Sequence, residues 1–220
     1  MTHTIAPPEP TVAPLGVTIA IEDDATPIVR LIGRTLRDSV HTGHASAALD
    51  ELRAVVAVRS HDTPQAATVA FSGGSIAVSN GVSGTPDATV TVDLNGRFAS
   101  VGEPDGDSST AAAVLDALAP PLPHWQEAAD SFWAAARSIR GIPDVLVVIA
   151  ADDDGNIEQH VAGAGESQYL IAGPPELLAG IFSGADDLLA ALMTGQLGLS
   201  GTMSQLSVLT AASWKVRYDV

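Results

Sequence analysis

Apolar positions along the chain change their period several times, and each change marks an element. Val17, Ile19 and Ile21 alternate with polar neighbours in residues 16–24, which predicts an added edge strand. Pro27 then opens a stretch in which Ile28, Leu31, Ile32, Leu36 and Val40 fall three or four apart, with Arg30, Arg34 and Arg37 on the other side. This is the apolar stripe of a helix, begun by a proline whose missing N–H has no partner to lose in the first turn. Residues 44–52 predict a second, short helix, and residues 54–60 switch to β-branched side chains. "ATVAF" (67–71), Gly73-Gly74 and "SIAVS" (75–79) read as a hairpin, because paired glycines supply the positive φ of a tight turn. Val90, Val92 and Leu94 alternate through a further strand at 87–95.

The second part of the chain repeats this alternation. A short helix at 111–118 is ended by Pro120, Pro121 and Pro123. A stronger one at 124–140 carries Trp125, Ala129, Phe132, Trp133, Ala136 and Ile139, and Gly141 and Pro143 terminate it. Residues 144–150 are a continuous apolar run suited to a buried strand. The acidic turn at 152–156 and strands at 157–163 and 167–173 follow. Pro174-Pro175-Glu176 starts a helix bearing Leu177, Leu178, Ile181 and Phe182, and Gly184 breaks it. Asp186-Asp187 caps a second helical stretch bearing Leu188, Leu189, Leu192 and Met193, which Gly195 stops. Segments 196–201, 203–209 and 213–220 complete the chain, the last with Trp214, Val216, Tyr218 and Val220 on one face.

Residues 68–101 and 146–181 share an order of strand, turn, strand, glycine loop, strand and helix start. A diverged duplication and a coincidence of simple meanders both produce that pattern. The organisation expected is a Pro-rich tail over 1–24, disordered or draped, an N-terminal α/β half over 25–105 and a C-terminal half over 111–220, with the Gly/Asp/Ser loop at 100–110 between them.

Composition narrows the function classes. Lys+Arg number 10 against 26 Asp+Glu, a formal charge of −16, and Lys215 is the only lysine. Such a field repels phosphate backbones and anionic membrane surfaces, so neither nucleic acid nor stable membrane insertion is expected. The absence of cysteine removes disulfides, thiolate metal sites and thiol nucleophiles. No apolar run of about 18 residues is present, and the N-terminus lacks the basic and apolar regions of a secretory signal, so the cytoplasm is the expected compartment. Aromatics are only 4% of the chain, which leaves Ala, Val, Leu and Ile to build the core.

The segment 169–209 resembles the C-terminal half of a sterol-carrier-protein-2 domain. In that family a strand leads through a short acidic or proline turn into a helix, a second apolar helix ends in glycine, and a strand of pattern G-x-L-x-x-x-G follows. Here the parts are 169–172, 175–182, 187–193, and Gly195, Leu197, Leu199 and Gly201, with Met203, Leu206, Val208 and Leu209 beyond. The likeness covers residues 124–212 in order, and 28–100 matches more weakly, without the glycine strand. It implies an α+β fold: a layer of mostly antiparallel sheet covered by helices, with a tunnel between them that holds a hydrophobic small molecule and no cofactor. On that basis Leu177, Leu178, Ile181, Phe182, Leu188, Leu189, Leu192, Met193, Leu197, Leu199 and Met203 are the expected tunnel lining. Ordinary core packing is the competing account of the same pattern.

Other chemistry is thinly supported. Counting Gly155 as the sixth position of a calcium loop puts Ala150 first and Val161 twelfth, where carboxylates are required. His41 and His44 have no third ligand nearby, and no nucleophile elbow or phosphate loop is present, so no metal and no catalytic residue are assigned. The expected function is binding or carriage of a sterol, acyl, polyketide or terpenoid-like molecule. An enzyme acting in the same cavity, assisted by Tyr169, Gln196 or His160, and a scaffold with a filled core are the alternatives. Pairing into a homodimer is an open option.

Overall fold

The computed structural model describes residues 16–152 and 154–219. The proline-rich stretch 1–15 lies outside the described residues. The chain folds as α+β, in two sheets with one helical layer each. The first half contains β1 (Thr18–Ile21), α1 (Pro27–His41), α2 (Ser46–Glu51), β2 (Arg53–Ser60), β3 (Ala66–Ser72), β4 (Ser75–Asn80), β5 (Ala88–Asp93), β6 (Ala99–Ser100), β7 (Asp105–Gly106) and α3 (Ser108–Ala117). The second contains α4 (Trp125–Ala136), β8 (Val145–Ala151), β9 (Ile157–Gly163), β10 (Gln168–Gly173), α5 (Pro175–Ser183), α6 (Leu188–Met193), β11 (Gly198–Ser200) and α7 (Met203–Tyr218).

The first sheet runs β1-β4-β3-β2-β5-β6, with β7 also on β5, and the second runs β11-β10-β8-β9. Pairs β1·β4, β2·β5 and β8·β10 are parallel and the others antiparallel. The period of two decides which face is buried. Val56, Val58, Val69, Ile76, Val78, Val90 and Val92 point at α1 and α3 and are 0–2% exposed. In the second sheet Leu146, Val148, Tyr169 and Ile171 point at α4, α5 and α7 and are fully buried. The two apolar clusters are separate, one per half, with Tyr218 of α7 packed against the first.

One sheet plan occurs twice. Strands β3-β2-β5-β6 pair antiparallel, parallel, antiparallel, and so do β9-β8-β10-β11. The sequence alignment of 68–101 with 146–181 sets β3 against β8, whereas pairing matches β2 with β8 and β3 with β9. Glycine-punctuated alternating strands look alike locally, so only the pairing partner fixes the register of a repeat. The halves also differ where it matters: α5 and α6 stand between β10 and β11, but residues 94–98 alone join β5 to β6. The last segment is a second difference. Residues 203–218 form one helix opened by a Thr202/Gln205 capping box, with no strand at 213–220, and Val220 is outside the described residues. Trp214, Val216 and Tyr218 alternate over too short a span to separate the two periods. The buried set is Leu209, Ala212, Ser213 and Arg217, at helical spacing.

Guanidinium groups join the halves at the corner between α5 and α6. Arg217 on α7 is 1% exposed and donates to the carbonyls of Gly184 (3.1 Å) and Ala185 (2.7 Å), and across the interface to that of Leu94 (2.7 Å). Arg34 on α1 donates to the Ser183 carbonyl and pairs with Asp38 at 3.1 Å. Arg97 from the β5–β6 turn holds Asp186 (2.6 Å) and Glu176 (2.7 Å). Gly184 caps α5 at φ +79°, where a Cβ would stand 2.6 Å from Arg34 Nη1 and 2.9 Å from Arg217 Cα. Only glycine fits that backbone and that space.

Replacing Arg217 by Met leaves one buried and two half-buried carbonyls without its donors, and orphaned acceptors cost about 1–3 kcal/mol each before water relieves them. Urea unfolding of Arg217→Met is expected to show a loss of about 3 kcal/mol or more. Lys215→Met, on the solvent side of the same helix, is expected to shift stability by less than about 0.5 kcal/mol.

Candidate functional site

A cleft of about 960 Å³ opens between the halves beside the arginine corner. Its walls come from α1, the β5–β6 turn, the linker 118–123, α4 and the end of α5, and Val216 of α7 faces it from below. The linker cannot close over the opening as helix, because Pro120, Pro121 and Pro123 lack N–H groups. Phe98, Phe132, Phe182, Leu118 and Leu122 supply the apolar surface. The Phe132 and Phe182 rings lie 5.2 Å apart, tilted by 48°.

The β5–β6 turn is strained to serve this wall. Arg97 and Phe98 hold φ of +52° and +59° in succession, a left-handed conformation that costs non-glycine residues roughly 1–2 kcal/mol each. The turn directs Arg97 onto Asp186 and Glu176 while Phe98, 6% exposed, joins the apolar wall. Hydrogen bonds to Asp186, and then to Glu176, raise the Arg97 pKa against the opposing effect of burial. Burial lowers that of Arg34, although Asp38 opposes it, and Arg34 Nε has no partner. Burial raises that of Asp38 despite Arg34 and His41 beside it. The lining carries Asp38, Glu127 and Glu176 against Arg34 and Arg97, so both guanidinium groups are already engaged by acids and the rim is not a receptor for anions.

A smaller hollow of about 390 Å³ lies at the far end of the second half, between α6, β11 and α7. Leu189, Leu192, Met193, Leu199, Met203 and Leu206 surround it. Met193 and Met203 stand 81% and 79% exposed at its mouth.

The eleven residues expected to line a tunnel are therefore distributed over three places. Leu189, Leu192, Met193, Leu199 and Met203 surround the small hollow, and Phe182 lines the cleft. Leu178, Ile181 and Leu188 are 0–1% exposed and Leu197 5%, within the core under the helices, and Leu177 packs against that core. The cleft's other walls, from α1 and residues 97–98, escaped the sequence reading because they belong to the other half. The Asn95-Gly96 dipeptide, a hairpin-turn signal, was the one local clue that Arg97 and Phe98 sit at a turn.

The polar residues considered for catalysis are not assembled. His160 bonds Asp130 at 2.8 Å, Gln196 accepts from Thr194 at 3.2 Å, and Tyr169 is fully buried with no hydrogen-bond partner on its hydroxyl. None of the three lines either hollow. His44 bonds the Asp116 carbonyl at 2.8 Å, and no metal-binding group of three or more ligands is present among the described residues. Asp152 bonds Asn156 within the β8–β9 turn.

No family model matches the chain, and no curated protein does. Solved structures do. The neighbours are sterol carrier protein 2 domains. The sterol carrier protein domain 2 of Helicoverpa armigera is 12% identical with a TM-score of 0.35, over 44% of this chain and 87% of that one. Sterol Carrier Protein 2 from Yarrowia lipolytica, in its apo form, is 13% identical with a TM-score of 0.32, over 43% and 90%. A crystal structure of sterol carrier protein 2 is 21% identical with a TM-score of 0.29, over 44% and 95%. No helix among the described residues is long and apolar enough to cross a membrane.

Burial pushes the Tyr169 hydroxyl up to about 12, and the nearby Leu209 backbone opposes this without closing a hydrogen bond to it. The unfolded chain loses that proton near pH 10, so the native advantage is full below pH 10 and is lost as pH climbs through 12. Ultraviolet titration is expected to show this late ionisation, and Tyr169→Phe to remove it. Because the hydroxyl has no partner, the same variant is expected to be as stable as the parent or more stable by up to about 1 kcal/mol.

Proposed function

We propose that this protein binds an apolar, uncharged small molecule in the cleft between its halves. The observation that carries this is the union of about 960 Å³ of space, aromatic and aliphatic walls, and a rim whose arginines are already paired with acids. Ligand sites of 300–1,000 Å³ favour interfaces between structural units, where apolar walls supply affinity and a few polar groups supply orientation. Burial of the ligand at about 25 cal/mol per Å² is the main driving force. The acidic bias of the rim disfavours a carboxylate or phosphate head and suits hydroxyls or a ring system without charge. Sterol, polyketide and terpenoid-like skeletons meet that description. Carriage needs no reacting group, which agrees with the separation of Tyr169, Gln196 and His160.

A second seat is the hollow under α6. Leu189, Leu192, Met193, Leu199 and Met203 surround it, and methionine adapts to varied ligand shapes. A ligand there would touch five of the eleven residues that the sequence resemblance implies.

The two seats are separable by substitution. Ala135 is exposed on the cleft wall, and Ala135→Trp fills it with an indole. Titration with a fluorescent apolar probe is expected to show at least about tenfold weaker binding in that variant, since each tenfold is only 1.4 kcal/mol. Met193→Glu is expected to leave binding unchanged. The reverse pattern moves the ligand to the α6 hollow. Protein that retains no ligand in native mass spectrometry and ignores apolar probes would refute both seats.

A further inference from the structure

The second sheet has two apolar faces, and among the described residues helices cover only one of them, although Val145 and Val147 at the centre of the other are 8% and 9% exposed. Register places Val145, Val147 and Ile149 of β8, Ile157 and Val161 of β9, and Leu170 of β10 on the face away from α4, α5 and α7. None of these six belongs to either apolar core cluster or packs against it. Each described helix packs on the inner face of a sheet or on another helix. Exposure rises toward the free edge, from 9% at Val147 to 49% at Val161 and 72% at Ile157. The remaining positions of the face are Ala, Gly, Ser and Gln. The corresponding face of the first sheet is built differently: Ala57, Thr68, Ala70, Ala77, Ser79 and Thr91 are small or polar, Val55 is its large apolar residue, and Arg53 and Arg59 flank it.

We infer that this face is where two copies of the chain meet. The charge distribution selects a second copy as the occupant. Each chain carries −16, so contact between most of its surfaces would bring carboxylates together. The face of the second sheet holds no Asp, Glu, Lys or Arg at any paired position. It is a surface on which two such anions can touch without pairing like charges, and aligned or crossed sheet packing about a two-fold axis is self-complementary. Four strands about 4.8 Å apart and about 20 Å long give on the order of 400 Å² per copy. Two faces together fall below the roughly 1,200 Å² of a stable interface, so the dimer is weak and depends on concentration.

Sedimentation velocity of the full chain across a concentration series tests this. A reversible monomer–dimer equilibrium is expected, and it is expected to tighten as salt rises, because screening relieves the repulsion between the two anions. The double variant Ile157→Glu, Val161→Glu changes only exposed side chains on an edge strand. It enters a symmetric contact twice, and its dimer is expected to weaken by about 100-fold or more, with an unchanged circular dichroism spectrum. Arg59→Glu, on the first sheet, adds the same negative charge to each copy as the double variant and is expected to weaken the dimer by far less. A full chain that stays monomeric at every concentration and salt overturns the inference. So does a dimer indifferent to the double variant, and so does a chain that dimerises only after residues 1–15 are removed, which would assign the face to the chain's own N-terminal segment.

Discussion

The fold depends on how three guanidinium groups satisfy one corner of backbone. Helix α5 ends at Ser183, and the turn through Gly184 and Ala185 presents carbonyls that no helix or strand can use. Arg34 comes from the first half, Arg217 from the last helix, and Arg97 anchors the adjacent Asp186. A buried carbonyl without a donor costs more than a formed hydrogen bond returns, so the corner is stable only while both halves are present. This is a polar clasp between two separate apolar cores rather than one continuous core.

That choice produces the cleft. Halves joined by shared apolar surface would close on each other until no hollow was left. Halves joined at one corner by hydrogen-bonded arginine side chains can stand apart elsewhere, leaving α1, α4 and the proline linker as walls. The same arginines then set the character of the rim. Their charges are used up by Asp38, Glu176 and Asp186, so the cleft offers hydrogen-bonding groups without a net positive field. The strained pair Arg97-Phe98 links the two roles, because one turn supplies both a clasp residue and a wall residue.

The sequence was most legible where one period ran long enough. Helix α1, the strands β2 to β5 and the helix–glycine–helix passage at α5 and α6 lie where Leu31, Val90 and Leu188 mark them, each within a residue or two. It was least legible where two periods fit the same residues, as at Trp214–Tyr218, and where simple strands were to be aligned with one another. The candidate site was legible only in the half that carries the resemblance. Phe182 and the ring of Leu189, Leu192, Met193, Leu199 and Met203 were named from sequence, whereas Arg34, Arg97, Phe98 and Leu118 were not. Those four lie some 60 to 150 positions from Phe182 and Ser183 in the chain, and no local pattern encodes that approach.

Alone, the sequence determined most of the elements, which residues of the alternating strands share a face, and the acidic, cysteine-free character that excludes whole classes of chemistry, because propensity, side-chain periodicity and charge are properties of neighbouring residues. Tertiary structure decided which strands pair, that Arg217 is buried rather than solvated, that the larger hollow lies between the halves, and that no described helix packs on one apolar face of the second sheet. Each of these depends on what a residue meets after the chain has folded back over a hundred positions or more, and burial and pairing energies exist only once that partner has arrived.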